Sequence, residues 1–307
     1  MLSIDAYSWI CDACARECSL TTSKKSNNKT AIRKLSEAEI SYLQEAKFYD
    51  KVVDLTALIS INQHDIDTDG RGIRASGIFT RQTLTAFSLK KIMPRPSSNS
   101  HHESTLWDIS TIASLARNLL EGYLAIYYFG IESVSSEEAE LRFFLLQLHR
   151  NVEWYEIIKG SNPQDPSLEE YEEGIPKQKA RVKEHSFLKI LTDAQKSKAL
   201  RGNEMYKTKA DFERDVSICR NLRRDYRYLS NLVHPLPFSI ERIDFNKGRG
   251  IGSDADVSHC LMCLTIARVY LAASTIGFSD HFPNSLANKY KNEIDEARPL
   301  MKWEVSA

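Results

Sequence analysis

The chain has 307 residues, 42% hydrophobic and 27% charged, with 41 basic and 41 acidic residues balancing to zero formal charge. That mixture excludes a disordered chain and any global electrostatic pull toward nucleic acid or membrane, so such an attraction must come from a local patch. The length allows one large domain or two ordinary ones, each able to bury a core.

Residues 1–20 lack a basic leader followed by an apolar run, so no signal peptide is read there. No apolar stretch is read as long enough to cross a bilayer. The best candidate, 109–129, contains Arg117, Asn118 and Glu121. The expectation is a cytoplasmic protein without membrane contact, in which the six cysteines are not a disulfide framework. Cys11, Cys14 and Cys18 have helical spacing but no fourth ligand beside them, and read as the buried face of a short helix. A polar linker follows over 21–30.

Ser36 with Glu39 makes a capping box that opens a helix over 37–61, with Ile40, Leu43, Phe48, Val52, Leu55 and Leu58 as its apolar positions. Residues 64–77 read as a turn-rich loop. Its Asp65, Asp67, Asp69 and Gly70 resemble the opening of a calcium loop, but Gly72 and Ser76 stand where an apolar residue and a glutamate belong, so a solvated loop is expected. A helix over 79–92 is stopped by Pro94 and Pro96. The polar connector 97–104 divides an N-terminal helical region, 1–96, from a helical bundle, 97–307.

The second region reads as helical throughout. A strongly apolar helix spans 105–130, with Gly130 as its C-terminal cap. Ser135 and Glu138 cap a helix over 135–159. A helix over 166–191 is interrupted by Pro176. One helix is expected over 211–233, terminated by Pro235. An apolar, buried helix over 254–276 carries His259, Cys260 and Cys263, and a short amphipathic one covers 284–297. Residues 238–245 alternate partly and could pair briefly as a strand. Gly248, Gly250 and Gly252 mark a flexible loop. The class is all-α, and no metal or cofactor is expected.

Plotted at about 100° per residue, the helix over 211–233 has two faces. Cys219, Leu222, Tyr226, Leu229 and Val233 form a core stripe. Arg220, Arg224, Arg227, Asn231 and His234 form a basic stripe, flanked by Arg223. A guanidinium binds phosphate bidentately, and a histidine exchanges protons near neutral pH. Arg227 and His234, two turns apart, are therefore candidate catalytic groups for cutting RNA, with Arg220, Arg224 and Asn231 as substrate-binding residues. A solvated face, ion pairs with acidic neighbours, or a histidine meeting the helix dipole would account for the same pattern.

Tyr226, Leu229, Ser230, His234 and Pro235 resemble the Tyr-x-x-Leu-Ser-x-x-x-His-Pro signature of a family of helical bacterial proteins. Its earlier Arg-x-x-x-Glu pair is matched by Arg117 and Glu121, and the similarity covers about 107–277. That family in turn resembles the HEPN superfamily of helical bundles. The resemblance implies an all-α HEPN-like bundle and a homodimer. It also implies metal-independent RNA cleavage by Arg227 and His234 in a toxin or defence effector. Tyr228 departs from the small polar residue that usually follows the arginine. A non-catalytic module binding a regulatory protein partner or a nucleotide is therefore the alternative.

Glu121 lies in an apolar run and is expected to be buried against Arg117, Arg224 or Arg227. Removing it would then cost about 3–5 kcal/mol.

Overall fold

A computed structural model describes residues 34–64, 66–97, 106–235, 237–240 and 253–303, and 80% of these are helical. Eleven α-helices and no β-strand occur among the described residues, as the all-α expectation required. Cys11, Cys14 and Cys18, the linker 21–30, Asp65, the connector beyond Ser97, Leu236, residues 241–245 and the glycines at 248, 250 and 252 lie outside them.

The first helix, α1 (Glu37–Ile61), begins at the expected capping box. Ser36 Oγ accepts from the Glu39 amide at 3.2 Å, and Glu39 Oε2 accepts from the Ser36 amide at 3.0 Å. Of the expected apolar positions Val52 and Leu55 are buried, Leu43, Phe48 and Leu58 are half-buried, and Ile40 is exposed. The centre of the buried face is instead Tyr42, Ala46, Tyr49 and Val53.

The second helix, α2 (Gly70–Ile92), starts nine residues before the expected 79. Asp69, the last carboxylate of the acidic loop, is its N-cap and accepts from the amides of Arg71 at 3.0 Å and Gly72 at 2.8 Å. The Gly72 amide in particular holds the Asp69 carboxyl below the usual carboxylate range. Three glycines disfavour a helix here, but packing overrides propensity. Ala75 of α2 sits so close to Gly130 that a Cβ on Gly130 would lie 2.5 Å from the Ala75 methyl. Gly130 is therefore a contact residue and not a helix cap. It lies within a π-helical turn, Tyr127–Ile131, that continues α3 (Ile109–Ile126).

Helices α4 (Ser136–Ser161) and α5 (Ser167–Glu184) pack against one another. Ser135 accepts from the Glu138 amide at 3.2 Å, but the Glu138 carboxylate turns to Arg142 and Tyr206. Pro176 lies inside α5 without ending it. It is exposed, as is Glu172, whose carbonyl it deprives of a partner, so water can serve that carbonyl. A 3₁₀ turn, Ser186–Ile190, replaces the expected last part of that helix.

The remaining helices are α6 (Asp193–Leu200), α7 (Lys209–Asp215), α8 (Leu222–Val233), the single turn α9 (Pro237–Ile240), α10 (Asp254–His281) and α11 (Lys291–Ala297). The turn α9 stands where a strand was expected to begin. A π-helical turn, Pro283–Ala287, and α11 divide the expected helix over 284–297.

At the centre lies α10, packed against α1 and α3, while α3 also contacts α2 and α8. The main core holds Tyr49 and Leu89 from the N-terminal region together with Leu119, Leu229 and Tyr270 from the rest. Contrary to the sequence reading, α10 is long and apolar enough to cross a membrane, with a mean hydropathy of 1.6 over its best window. That window is 78% buried inside the protein, as befits a helix surrounded by others.

Within α10, Arg268 is fully buried. It donates to the Glu45 carboxylate of α1 and to the carbonyls of Leu300 and, at 3.1 Å, Lys302. One residue thus ties the first helix, the central helix and the end of the described chain. Glu45→Ala leaves this guanidinium without its counter-charge and is expected to cost about 3–5 kcal/mol. Glu45→Gln, which keeps a hydrogen-bond acceptor, should cost less. The midpoints of urea unfolding measure both.

Candidate functional site

The helix expected over 211–233 is broken in two. After α7 the backbone of Val216 is extended and a 3₁₀ turn, Ser217–Cys219, precedes α8. Asn221, at the start of α8, supplies no side-chain cap. Glu213 of α7 does so instead. Its Oε1 accepts from the Arg223 amide at 2.8 Å and its other oxygen pairs with the Arg223 guanidinium. The amide bond is the first reason its carboxyl lies below the ordinary glutamate range.

An ionic network, largely buried, ties the start and end of α7 to α4 and the turn before it. Arg142 of α4 meets Glu132 at 2.6 Å, Glu138 and the Tyr128 carbonyl. Lys207 meets Glu132 and, at 3.6 Å, Asp215. Thr208 and Asp211 then form the capping box of α7. These contacts fix the short helix that carries Lys209 and Glu213 to the site.

On α8, Leu222, Asp225, Leu229 and Leu232 face inward. The expected core stripe holds at Cys219, Leu222 and Leu229. Tyr226 and Val233 lie at its edges, half-buried, and Asp225 and Leu232 occupy its centre. Asp225 meets Arg224 at 2.9 Å through Oδ1. Burial still raises its pKa, against the pull of Arg224.

Arg220, Arg224, Arg227 and Asn231 line one open depression of about 950 Å³, so the structure brings these predicted residues together. The four arginines of the segment, Arg220, Arg223, Arg224 and Arg227, are exposed but not equivalent. Arg223 is committed to Glu213, and Arg224 to Asp225. Among the described residues no ion pair reaches Arg220 or Arg227. Asn231 donates to the Arg227 carbonyl at 2.8 Å, which commits one of its amide hydrogens to its own helix.

His234 is exposed at the C-terminal cap of α8, beyond the residues lining the depression. Seven residues of helix separate it from Arg227 by about 10 Å along the axis.

The Arg117–Glu121 pair forms as the spacing predicted, at 3.0 Å. Glu121 is not buried, however. Its side chain is 43% exposed, because α3 turns Leu119, Leu120 and Tyr123 inward and leaves Glu121 at the edge. Neither Arg224 nor Arg227 pairs with it. An exposed i,i+4 pair contributes about 0.3–0.5 kcal/mol, so the larger cost expected for its loss does not stand.

Arg117 has a further role. Its Nη2 donates to the Tyr226 hydroxyl at 2.6 Å, and its guanidinium lies 4.7 Å from the ring centroid. Lys209 Nζ lies 3.7 Å from the same centroid, so α3, α7 and α8 meet at Tyr226.

Tyr228 turns toward α10, where its hydroxyl lies 2.6 Å from His259 Nδ1 and the rings stack at 6.0 Å. Cys219, Cys260 and Cys263 are buried free thiols, and burial pushes Cys219 up to about 12. No cluster of metal-ligating side chains occurs among the described residues.

Sequence reasoning missed Lys209, Glu213 and Asp225. For Asp225 a signal was available, an acid standing among arginines, whereas Lys209 and Glu213 lie in a stretch of mixed charge.

Comparison with known protein families, with curated proteins and with solved structures gave no match.

The sign of the Asp225 shift makes a test. Its pKa in the folded protein lies above its unfolded value, so ionising it opposes folding. That opposition is absent below the ordinary carboxylate value and grows as pH rises through the raised one. Asp225→Asn should melt at a higher temperature than wild type at pH 7. The advantage should shrink as pH falls toward the ordinary value of about 3.8 and be absent below it. Thermal unfolding at the two pH values measures it.

Proposed function

We propose that this chain is a metal-independent RNA endonuclease of the HEPN type, acting through Arg227 and His234. The observation that carries the reading is that Arg220 and Arg227 line an open depression with no carboxylate pairing either of them among the described residues. Arg223 and Arg224, by contrast, are each held by an acid.

In this reading the His234 imidazole removes the proton of an RNA 2′-hydroxyl, and that oxygen attacks the adjacent phosphorus. The bond to the 5′-oxygen breaks, and the leaving oxygen takes up a proton. Arg227 stabilises the charge that develops on the phosphoryl oxygens. Arg220, Arg224 and Asn231 hold neighbouring phosphates, and Arg117 positions α8 through Tyr226. A homodimer would place two such helices in one site, as the family resemblance implies, and a regulatory protein would restrain a toxin or defence effector of this kind.

A second reading, a non-catalytic module that binds a partner or nucleotide, is favoured by Tyr228. It stands where a small polar residue accompanies catalysis, and its hydroxyl is engaged by His259.

Incubation of the protein with total RNA in EDTA separates the two. Products should carry a 2′,3′-cyclic phosphate and a 5′-hydroxyl. His234→Ala and Arg227→Ala should each slow cleavage at least about a hundredfold while the protein stays folded. If wild type binds RNA but never cuts it, the catalytic reading fails and the module reading stands.

A further inference from the structure

A second depression, of about 1120 Å³, opens beside the arginine depression and shares Arg220, Asn221 and Arg224 with it. Its far wall is the end of the described chain, Lys302 and Trp303, and Leu261 and Met262 of α10 give it apolar surface. No carboxylate lines it. Of its four cations, Arg298 is held by Asp280 at 3.0 Å and by Asp295 at 3.4 Å, and Arg224 is held by Asp225. Among the described residues no ion pair reaches Arg220 or Lys302. Trp303 is half-buried. Its ring meets Tyr270 edge-on at 6.3 Å and has the Arg224 guanidinium 5.7 Å from its centroid. The Lys302 carbonyl beside it is bonded to buried Arg268, which fixes this wall.

We propose that this depression receives an unstacked base of single-stranded RNA, which lies against Trp303 while Arg220 and Lys302 hold the phosphates on either side of it. The inference rests on the RNA reading above and names the form of RNA. An apolar surface with one indole and a cationic rim matches how proteins hold single strands, with a base on an aromatic face and the backbone along basic groups. A duplex keeps its bases stacked and paired, and cannot place one there. The shared arginines make the two depressions one track. A strand whose base rests on Trp303 continues past Arg220 and Arg224 toward Arg227.

The test uses fluorescein-labelled 2′-O-methyl oligonucleotides, which cannot be cut through a 2′-hydroxyl, and reads binding by anisotropy with the full chain. Wild type should bind the single strand more tightly than the same strand carrying abasic sites or annealed in a duplex. Trp303→Ala should weaken binding about tenfold to a hundredfold, and Trp303→Phe by less. Neither should change the salt dependence, whereas Arg220→Ala should reduce it by about one phosphate contact. The abasic comparison needs only wild type, so it holds even if Trp303→Ala unfolds.

Equal affinity for intact and abasic strands, or tighter binding of the duplex, overturns this inference and leaves the RNA reading in place. An unchanged affinity in folded Trp303→Ala does the same. Failure of wild type to bind any RNA overturns both.

Discussion

Arg268 is buried in the central helix, and its charge has to be met inside the protein. Glu45 meets it from α1, and the carbonyls of Leu300 and Lys302 meet it from the end of the described chain. Isolated, such a charge would cost far more than the fold can spare. The contact therefore fixes which segments lie against α10. It places α1 on one side and the Lys302–Trp303 wall on another, and that wall closes the depression beside α8. Stability and the shape of the candidate site depend on the same guanidinium.

Charge is distributed with a second logic along α8. The segment 220–227 carries four arginines, and the fold supplies acids to two of them. Glu213 caps the helix and occupies Arg223, while Asp225 occupies Arg224. Arg220 and Arg227 face the open depression without a paired acid among the described residues. A protein with no net charge thus presents a local cationic track, the one route by which such a chain can attract a polyanion. Tyr226 locks the track's base to α3 through Arg117 and to α7 through Lys209.

Elements set by local chemistry were legible in the sequence. Ser36 and Glu39 announced the start of α1 because both halves of a capping box lie within four residues. The Arg117–Glu121 pair and the grouping of Arg224, Arg227 and Asn231 followed from helical spacing, whereas Arg220, in the turn before α8, joins them although the expected helix is broken there. What depends on distant partners was not legible. The glycine-rich start of α2 is capped locally by Asp69, but its packing, with Ala75 against Gly130, joins residues some fifty apart in sequence. The break before α8 is completed by Glu213 reaching across a turn, and the exposure of Glu121 follows from which face α3 presents to its neighbours. Trp303 gave no sequence signal, since distant contacts, the tie to Arg268 and the packing on Tyr270 among them, bring its segment to the arginines.

The central claim is that the α8 arginines form an RNA-binding track. Ultraviolet crosslinking of the full chain to single-stranded RNA, followed by mass spectrometry of the peptide adducts, addresses it most directly. The adducts should fall on peptides spanning 220–234 and on the peptide containing Trp303. Adducts confined to other parts of the chain, or none at all under conditions that crosslink a known RNA-binding protein, would contradict it.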